Sequence, residues 1–94
     1  MSEIPLSARP ALRRYARLQY DEVRQKHLLL LPEAFLILNE TSAAILALCD
    51  GHRTVADIST TLGERYTGVN PMEIVILLQR LDAKGLIDIT EETP

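Results

Sequence analysis

His27, Cys49 and His52 are the residues in this chain best suited to nucleophilic or metal chemistry, and their surroundings supply neither. There is no Cys-x-x-Cys, no His-x-x-x-His and no acidic pair at ligand spacing, so a metal site is not expected. No nucleophile, base and orienting acid can be assembled from neighbouring positions. Gly51, Gly63, Gly68 and Gly85 stand singly, which suits turns and helix ends rather than a phosphate loop. Cys49 falls on the apolar face of a predicted helix and reads as a small core residue. As the lone cysteine it can form no intramolecular disulfide, which fits a reducing compartment. Neither catalysis nor a cofactor is expected, so the chemistry to look for is that of binding.

With 94 residues, 47% of them apolar, the chain can form one core. A domain of this size buries only about 60 to 65% of its unfolded surface. An elaborate active site would take a large share of so small an interior. Thirteen acidic and ten basic residues give a formal net charge of -3, which argues against the phosphate neutralisation that drives nucleic-acid binding. The basic cluster Arg9, Arg13, Arg14 and Arg17 reads as part of a solvated tail. No apolar run approaches the roughly 20 residues of a membrane span. The opening Met1-Ser2-Glu3-Ile4-Pro5 is not a secretory signal, and a cytoplasmic location is expected.

The elements that must present a binding surface follow from periodicity. Residues 1–15 contain Pro5, Pro10 and scattered arginines without a sustained period, which predicts a flexible arm; the folded domain is expected over 16–90, with 91–94 as a tail. Leu18 and Tyr20 alternate with Arg17, Gln19 and Asp21 at period two, predicting a half-buried strand. Lys26 to Leu31 is limited by Pro32 to a length too short for a stable helix and is expected to be a second strand; Ala34 to Leu38 is the third. The short links favour an antiparallel meander.

The pattern then changes to the helical period. Asn39 or Thr41 caps a first helix carrying Ile45, Leu48 and Cys49, which Asp50-Gly51 ends. Thr54, with Asp57 three residues on, opens a second helix with Val55, Ile58, Leu62 and Tyr66 as its stripe. Asn70-Pro71-Met72-Glu73 starts a third, which Gly85 stops. The order predicts an α+β domain, a three-stranded antiparallel sheet followed by three helices (βββααα), with Leu86 to Ile89 returning as a short strand.

Two features exceed what a self-contained domain needs. Arg17, Asp21, Glu22 and Arg24 surround the first strand, the protection expected of an edge kept single, whereas Ala34, Phe35, Leu36, Ile37 and Leu38 carry no charge and no proline. Either an extended peptide adds to that edge as a fourth strand, or a helix or the segment 86–89 covers it. In the third helix, at about 100° per residue, Ile74, Leu77, Leu78 and Leu81 form one stripe while Met72, Val75, Ile76 and Ala83 lie on other faces. Such a helix must be buried on more than one side, by its own domain, a dimer partner or a ligand. Beside the third strand it would make a groove for a peptide. Two other classes use the same residues. One is a homodimer pairing edge and helix with themselves. The other is a helix-turn-helix regulator over 54–89, whose Arg80 and Lys84 are offset by Glu73 and Asp82, so that nucleic-acid binding is not expected.

The run Leu38-Asn39-Glu40-Thr41-Ser42-Ala43-Ala44-Ile45-Leu46, followed by Leu48-Cys49-Asp50-Gly51, resembles the signature of the pyrroloquinoline quinone (PQQ) biosynthesis protein D family. Arg17-Leu18 with Tyr20-Asp21, Leu31-Pro32-Glu33, Val55-Ala56-Asp57-Ile58 and Glu64-Arg65-Tyr66 agree in order and spacing, so the likeness runs from about Arg14 to Ile89. Ser42 stands where the family usually has alanine or glycine. The resemblance implies a winged-helix-like peptide chaperone, a recognition element for ribosomally made, modified peptides. Its precursor peptide would add to the third strand, lie against the third helix and be presented to a radical S-adenosylmethionine (SAM) enzyme. Carried over, Ala34, Phe35, Leu36, Ile37 and Leu38 supply the backbone pairing, and Met72, Val75, Ile76, Leu78 and Gln79 the side-chain contacts.

Overall fold

A computed structural model describes residues 4–65 and 70–90. The three expected strands are β2 (Arg17–Asp21), β3 (Lys26–Leu30) and β4 (Phe35–Leu38), an antiparallel meander in the order β2-β3-β4. The β2–β3 turn is held by the Asp21 carboxylate, which accepts the backbone N–H groups of Val23 (3.0 Å) and Arg24 (3.2 Å). At Pro32-Glu33 the chain reverses again, with the Leu31 N–H donating to the Ala34 carbonyl at 2.9 Å. β4 therefore begins at Phe35 and leaves Ala34 in the turn.

The helices are α1 (Glu40–Ala47), α2 (Val55–Gly63) and α3 (Pro71–Ala83), each opened by the cap its sequence predicts. Asn39 Oδ1 accepts the Ser42 N–H at 2.7 Å. Thr54 and Asp57 form a reciprocal capping box, both bonds at 3.0 Å. Asn70 caps α3, with Pro71 in its first turn where no N–H is needed. At the far end, Gly85 takes φ +73°, the left-handed conformation that turns the chain toward the next strand. Tyr66, expected to extend the α2 stripe, lies outside the described residues.

α1 packs across the sheet and against α2, while α3 packs on α2 and the last strand. Leu29, Ile45, Leu46, Val55, Ile58, Leu62, Ile74, Leu78 and Ile87 are essentially sealed from solvent between these layers. Cys49 is buried with them; its thiol donates to the Ile45 carbonyl at 3.3 Å. Burial, with the charge of Asp50 beside it, pushes the thiol pKa up to about 12.

The arm is where the structure departs from expectation. Residues 9–12 form a strand, β1 (Arg9–Leu12), antiparallel to β5 (Ile87–Thr90), and Ile4, Ala8 and Pro10 are buried. The first N–H groups of a helix lack partners of their own. Here the Val55 and Ala56 N–H groups donate to the Ala8 and Leu6 carbonyls, at 2.9 and 3.0 Å. Pro10 accepts from the Gly51 N–H at 2.9 Å, and Arg13 pairs with Asp88 at 3.2 Å. The Tyr15 hydroxyl donates to the Gly85 carbonyl. The flexible, solvated arm is thus corrected: from Ile4 onward it is part of the fold, because it satisfies backbone groups that nothing else in the described chain reaches.

Deleting residues 1–12 should therefore abolish a cooperative thermal transition followed by circular dichroism, whereas a merely appended arm would leave the melting temperature unchanged. A second expectation concerns acid. The Asp57 carboxyl is held below its ordinary value of 3.8, first by the Thr54 backbone N–H and then by its hydroxyl. A folded pKa below the unfolded one contributes stability above pH 3.8 that is lost as pH falls through the folded value. Asp57→Ala should melt earlier than the parent at neutral pH, and the gap should close in melts taken at successively lower pH below that point.

Candidate functional site

In an antiparallel ladder the residues of one strand point their backbone groups alternately toward and away from a given neighbour. The Leu31–Ala34 bond sets the phase for β3 and β4, whose register pairs Leu29 with Leu36 and His27 with Leu38. Leu36 and Leu38 thus bond β3, while the N–H and C=O groups of Phe35 and Ile37 point to the outer edge. Among the described residues no strand meets them, because β5 pairs with β1 instead. The alternative that segment 86–89 covers this edge is excluded. Ala34 adds no free carbonyl, since its own accepts from Leu31. Beyond Leu38 the Asn39 carbonyl accepts the Ala43 N–H of α1 at 3.0 Å, so the open ladder ends there.

The side chains of β4 divide in the same alternation. Leu36 and Leu38 pack against the core; Phe35 and Ile37 are 48% and 63% exposed. At the end of the strand, Asn39, Thr41, Ser42 and Ile45 of the α1 start face Glu73 and Leu77 of α3 across a hollow of about 240 Å³. Asn39, the residue that follows β4, lies on the rim of this hollow. A guest strand on β4 would send alternate side chains to the Leu36 and Leu38 side, toward this hollow.

The α3 residues expected at the site are not gathered there. Leu78 is 0% exposed, in the core with Ile74 and Leu81, and cannot touch a guest. Met72, Val75 and Gln79 line a different hollow, about 540 Å³, against Ile4, Leu6 and Pro71 of the chain's own arm and helix start. Ile76, 44% exposed, borders neither. The geometry is that of the helical wheel: at about 100° per residue, Met72, Val75 and Gln79 flank the buried stripe on one side and Glu73 and Leu77 on the other. Periodicity identifies both flanks but not which one faces the sheet. Leu77 was legible only as a member of the packing stripe, and Glu73 only as a helix-start acid.

A third hollow, about 370 Å³, lies between α1 and the inner side of β2 and β3, bordered by Leu18, Tyr20, His27, Ala43 and Ala47. There the His27 and Tyr20 rings meet edge to face, centroids 4.9 Å apart. His52 lies in the turn after Asp50, and Cys49 in the core. The Asp50 carboxyl is held below its usual range by the backbone N–H groups of Arg53 and His52. These residues therefore have structural partners where they stand, and among the described strands β4 keeps an edge that no strand meets.

A sequence model of the family described as coenzyme PQQ synthesis protein D matches residues 26–87. A PqqA binding protein of Rhodopseudomonas palustris (strain TIE-1) is 42% identical over 90 residues, which is 93% of this chain and 88% of that one. The bifunctional coenzyme PQQ synthesis protein C/D of Methylorubrum extorquens is 47% identical over 57 residues, 61% of this chain and 15% of its own. Among solved structures, the solution NMR structure of the PqqD truncation of Methylobacterium extorquens PqqCD, a stand-alone recognition element for ribosomally synthesized and post-translationally modified peptides, superposes with a TM-score of 0.67 at 41% identity, covering 84% of this chain and 87% of that one.

Truncation of the α3 side chains separates core from surface. Leu78→Ala should lose about 2 to 5 kcal/mol of unfolding free energy. Ile76→Ala and Met72→Ala should each stay within about 0.5 kcal/mol of the parent. Chemical denaturation of the three variants is the measurement, and equal losses would place Leu78 at the surface after all.

Proposed function

The chain belongs to the coenzyme PQQ synthesis protein D family, and we propose that it is a non-catalytic, cytoplasmic recognition protein that binds the ribosomally made precursor peptide of PQQ synthesis as a fourth strand on β4 and presents it to a radical SAM enzyme. The observation that carries the reading is the outward-facing N–H and C=O pairs of Phe35 and Ile37, left open beside the hollow at Leu77. The relatives described above support it, one being a PqqA binding protein and another a recognition element for such peptides.

Magnitudes assign a role to each part. Two donors and two acceptors allow four main-chain hydrogen bonds, each contributing about 0.5 to 1.5 kcal/mol net. Association itself costs roughly 4 kcal/mol or more. Hydrogen bonds alone therefore set register and direction without producing tight binding. Micromolar affinity corresponds to about 8 kcal/mol, so apolar side chains of the guest must be buried as well, at about 1.5 to 3 kcal/mol each. The hollow between Asn39, Ile45 and Leu77 is where the first of these would go.

The other classes fit less well. A homodimer through β4 would rest on a four-residue strand whose outward pairs are those of Phe35 and Ile37, with Met72 of α3 on the opposite flank from Leu77 and Ile76 bordering neither hollow. As a recognition helix, α3 would offer nucleic acid the exposed apolar side chains of Met72 and Ile76 beside Glu73.

Ile37→Pro removes an outward N–H while leaving the β3–β4 ladder intact, since proline is tolerated where the N–H faces away from the sheet. It should raise the dissociation constant for the precursor peptide about 2- to 12-fold, measured by calorimetric titration, with little change in melting temperature. Leu36→Pro, whose N–H serves β3, should instead destabilise the sheet. Unchanged peptide affinity in a folded Ile37→Pro protein would remove strand addition at this donor.

A further inference from the structure

The sheet has a second face, and it is not bare. Residues paired across an antiparallel ladder point to the same side, so Arg17, Leu30 and Phe35 form one row and Gln19, Leu28 and Ile37 the next. Core packing confirms the division: Leu18, Leu29, Leu36 and Leu38 belong to the main core cluster, whereas Leu28, Leu30, Phe35 and Ile37 do not; of these Leu28 is buried and Leu30 half-buried, and Phe35 and Ile37 are exposed. α1 occupies the opposite face. The result is a block of four apolar side chains on the outer face, two of them about half exposed or more, running up to the open β4 edge.

The flank of this block away from the edge is basic. Arg17 and Lys26 are exposed on the same face. The acid on that flank, Asp21, opposite Lys26, has its carboxylate engaged by the Val23 and Arg24 N–H groups of the turn. A strand added to β4 would continue the rows, placing every second guest side chain beside Phe35 and Ile37. The outer face and the guest would then form one surface, apolar at the centre, basic at one side and carrying the peptide at the other.

We propose that this outer face is the docking surface for the enzyme that modifies the bound peptide, through an enzyme surface with an apolar centre and acidic residues set to meet Arg17 and Lys26. The inference rests on the peptide-binding reading above and adds to it the surface that meets the enzyme. Docking on this face would bring the enzyme to the side chains that the strand turns outward, and peptide occupancy would complete the surface that the enzyme recognises. In the C/D relative the matched segment is 15% of a longer chain, so the fold serves while attached to another protein body.

Arg17 on β2 and Lys26 on β3 are three and two strand spacings, about 14 and about 10 Å, from a guest on β4, so the basic flank can be altered without touching the peptide. The test uses the full chain, the precursor peptide and the purified radical SAM enzyme in sedimentation or interferometry. Arg17→Glu/Lys26→Glu should weaken enzyme binding to the protein–peptide complex about tenfold and remove its salt dependence, while peptide affinity stays within twofold. Leu30→Ser, one strand in from the edge, should act in the same direction. Enzyme binding equal to the parent's in both variants, with peptide binding intact, overturns the docking face alone. Failure of the parent protein to bind peptide would instead fail the earlier reading. Should Leu30→Ser prove unstable, the charge-reversal pair decides.

Discussion

Backbone groups that folding leaves without partners are the constraint on which this molecule turns. β5 can pair with only one neighbour on a given side, and it pairs with β1. That choice is stabilised from several directions: arm carbonyls accept from the first N–H groups of α2, Pro10 accepts from Gly51, and Arg13 reaches Asp88. With the C-terminal strand committed there, β4 keeps an open edge. The binding surface is thus a consequence of how the N-terminal arm is held, although the arm itself stands elsewhere.

The edge is open but bounded. Pro32 and the β3–β4 turn precede it, and Asn39 converts the chain into α1 immediately after, so only Phe35 and Ile37 present free pairs. An edge this short offers little to a second copy of itself, which limits the self-association that a longer apolar edge would invite. In the proposed reading it orients a peptide, and side chains of that peptide seated in the neighbouring hollow supply the affinity. Separating orientation from affinity in this way lets a weak ladder be selective.

Local signals were the legible part of the sequence. Asn39, Thr54 and Asn70 announce three helices because a cap acts within one turn, and the strand alternation from Arg17 to Leu38 is equally local. The open edge was visible as a stretch without charge or proline, though whether segment 86–89 covers it depends on tertiary pairing. The arm was illegible because it is buried through Ala8, Pro10 and main-chain carbonyls, none of which makes a hydrophobic period. Which flank of α3 faces which neighbour was illegible for a related reason: Met72, Val75 and Gln79 on one side and Leu77 on the other are symmetric about the core stripe until the neighbours are known.

The same limit explains the outer face of the sheet. Four consecutive leucines, Leu28 to Leu31, look like one buried run, yet in a strand they must alternate between faces. Leu29 and Leu31 join the core while Leu28 and Leu30 turn the other way, with Phe35 and Ile37 beside them. A sheet covered by one helix needs apolar residues on one face only, and antiparallel sheets ordinarily keep the other face polar. Leu28 is buried on that face all the same, so it is the exposed pair Phe35 and Ile37 that exceeds what the fold requires. Their position against the open edge links them to whatever occupies it.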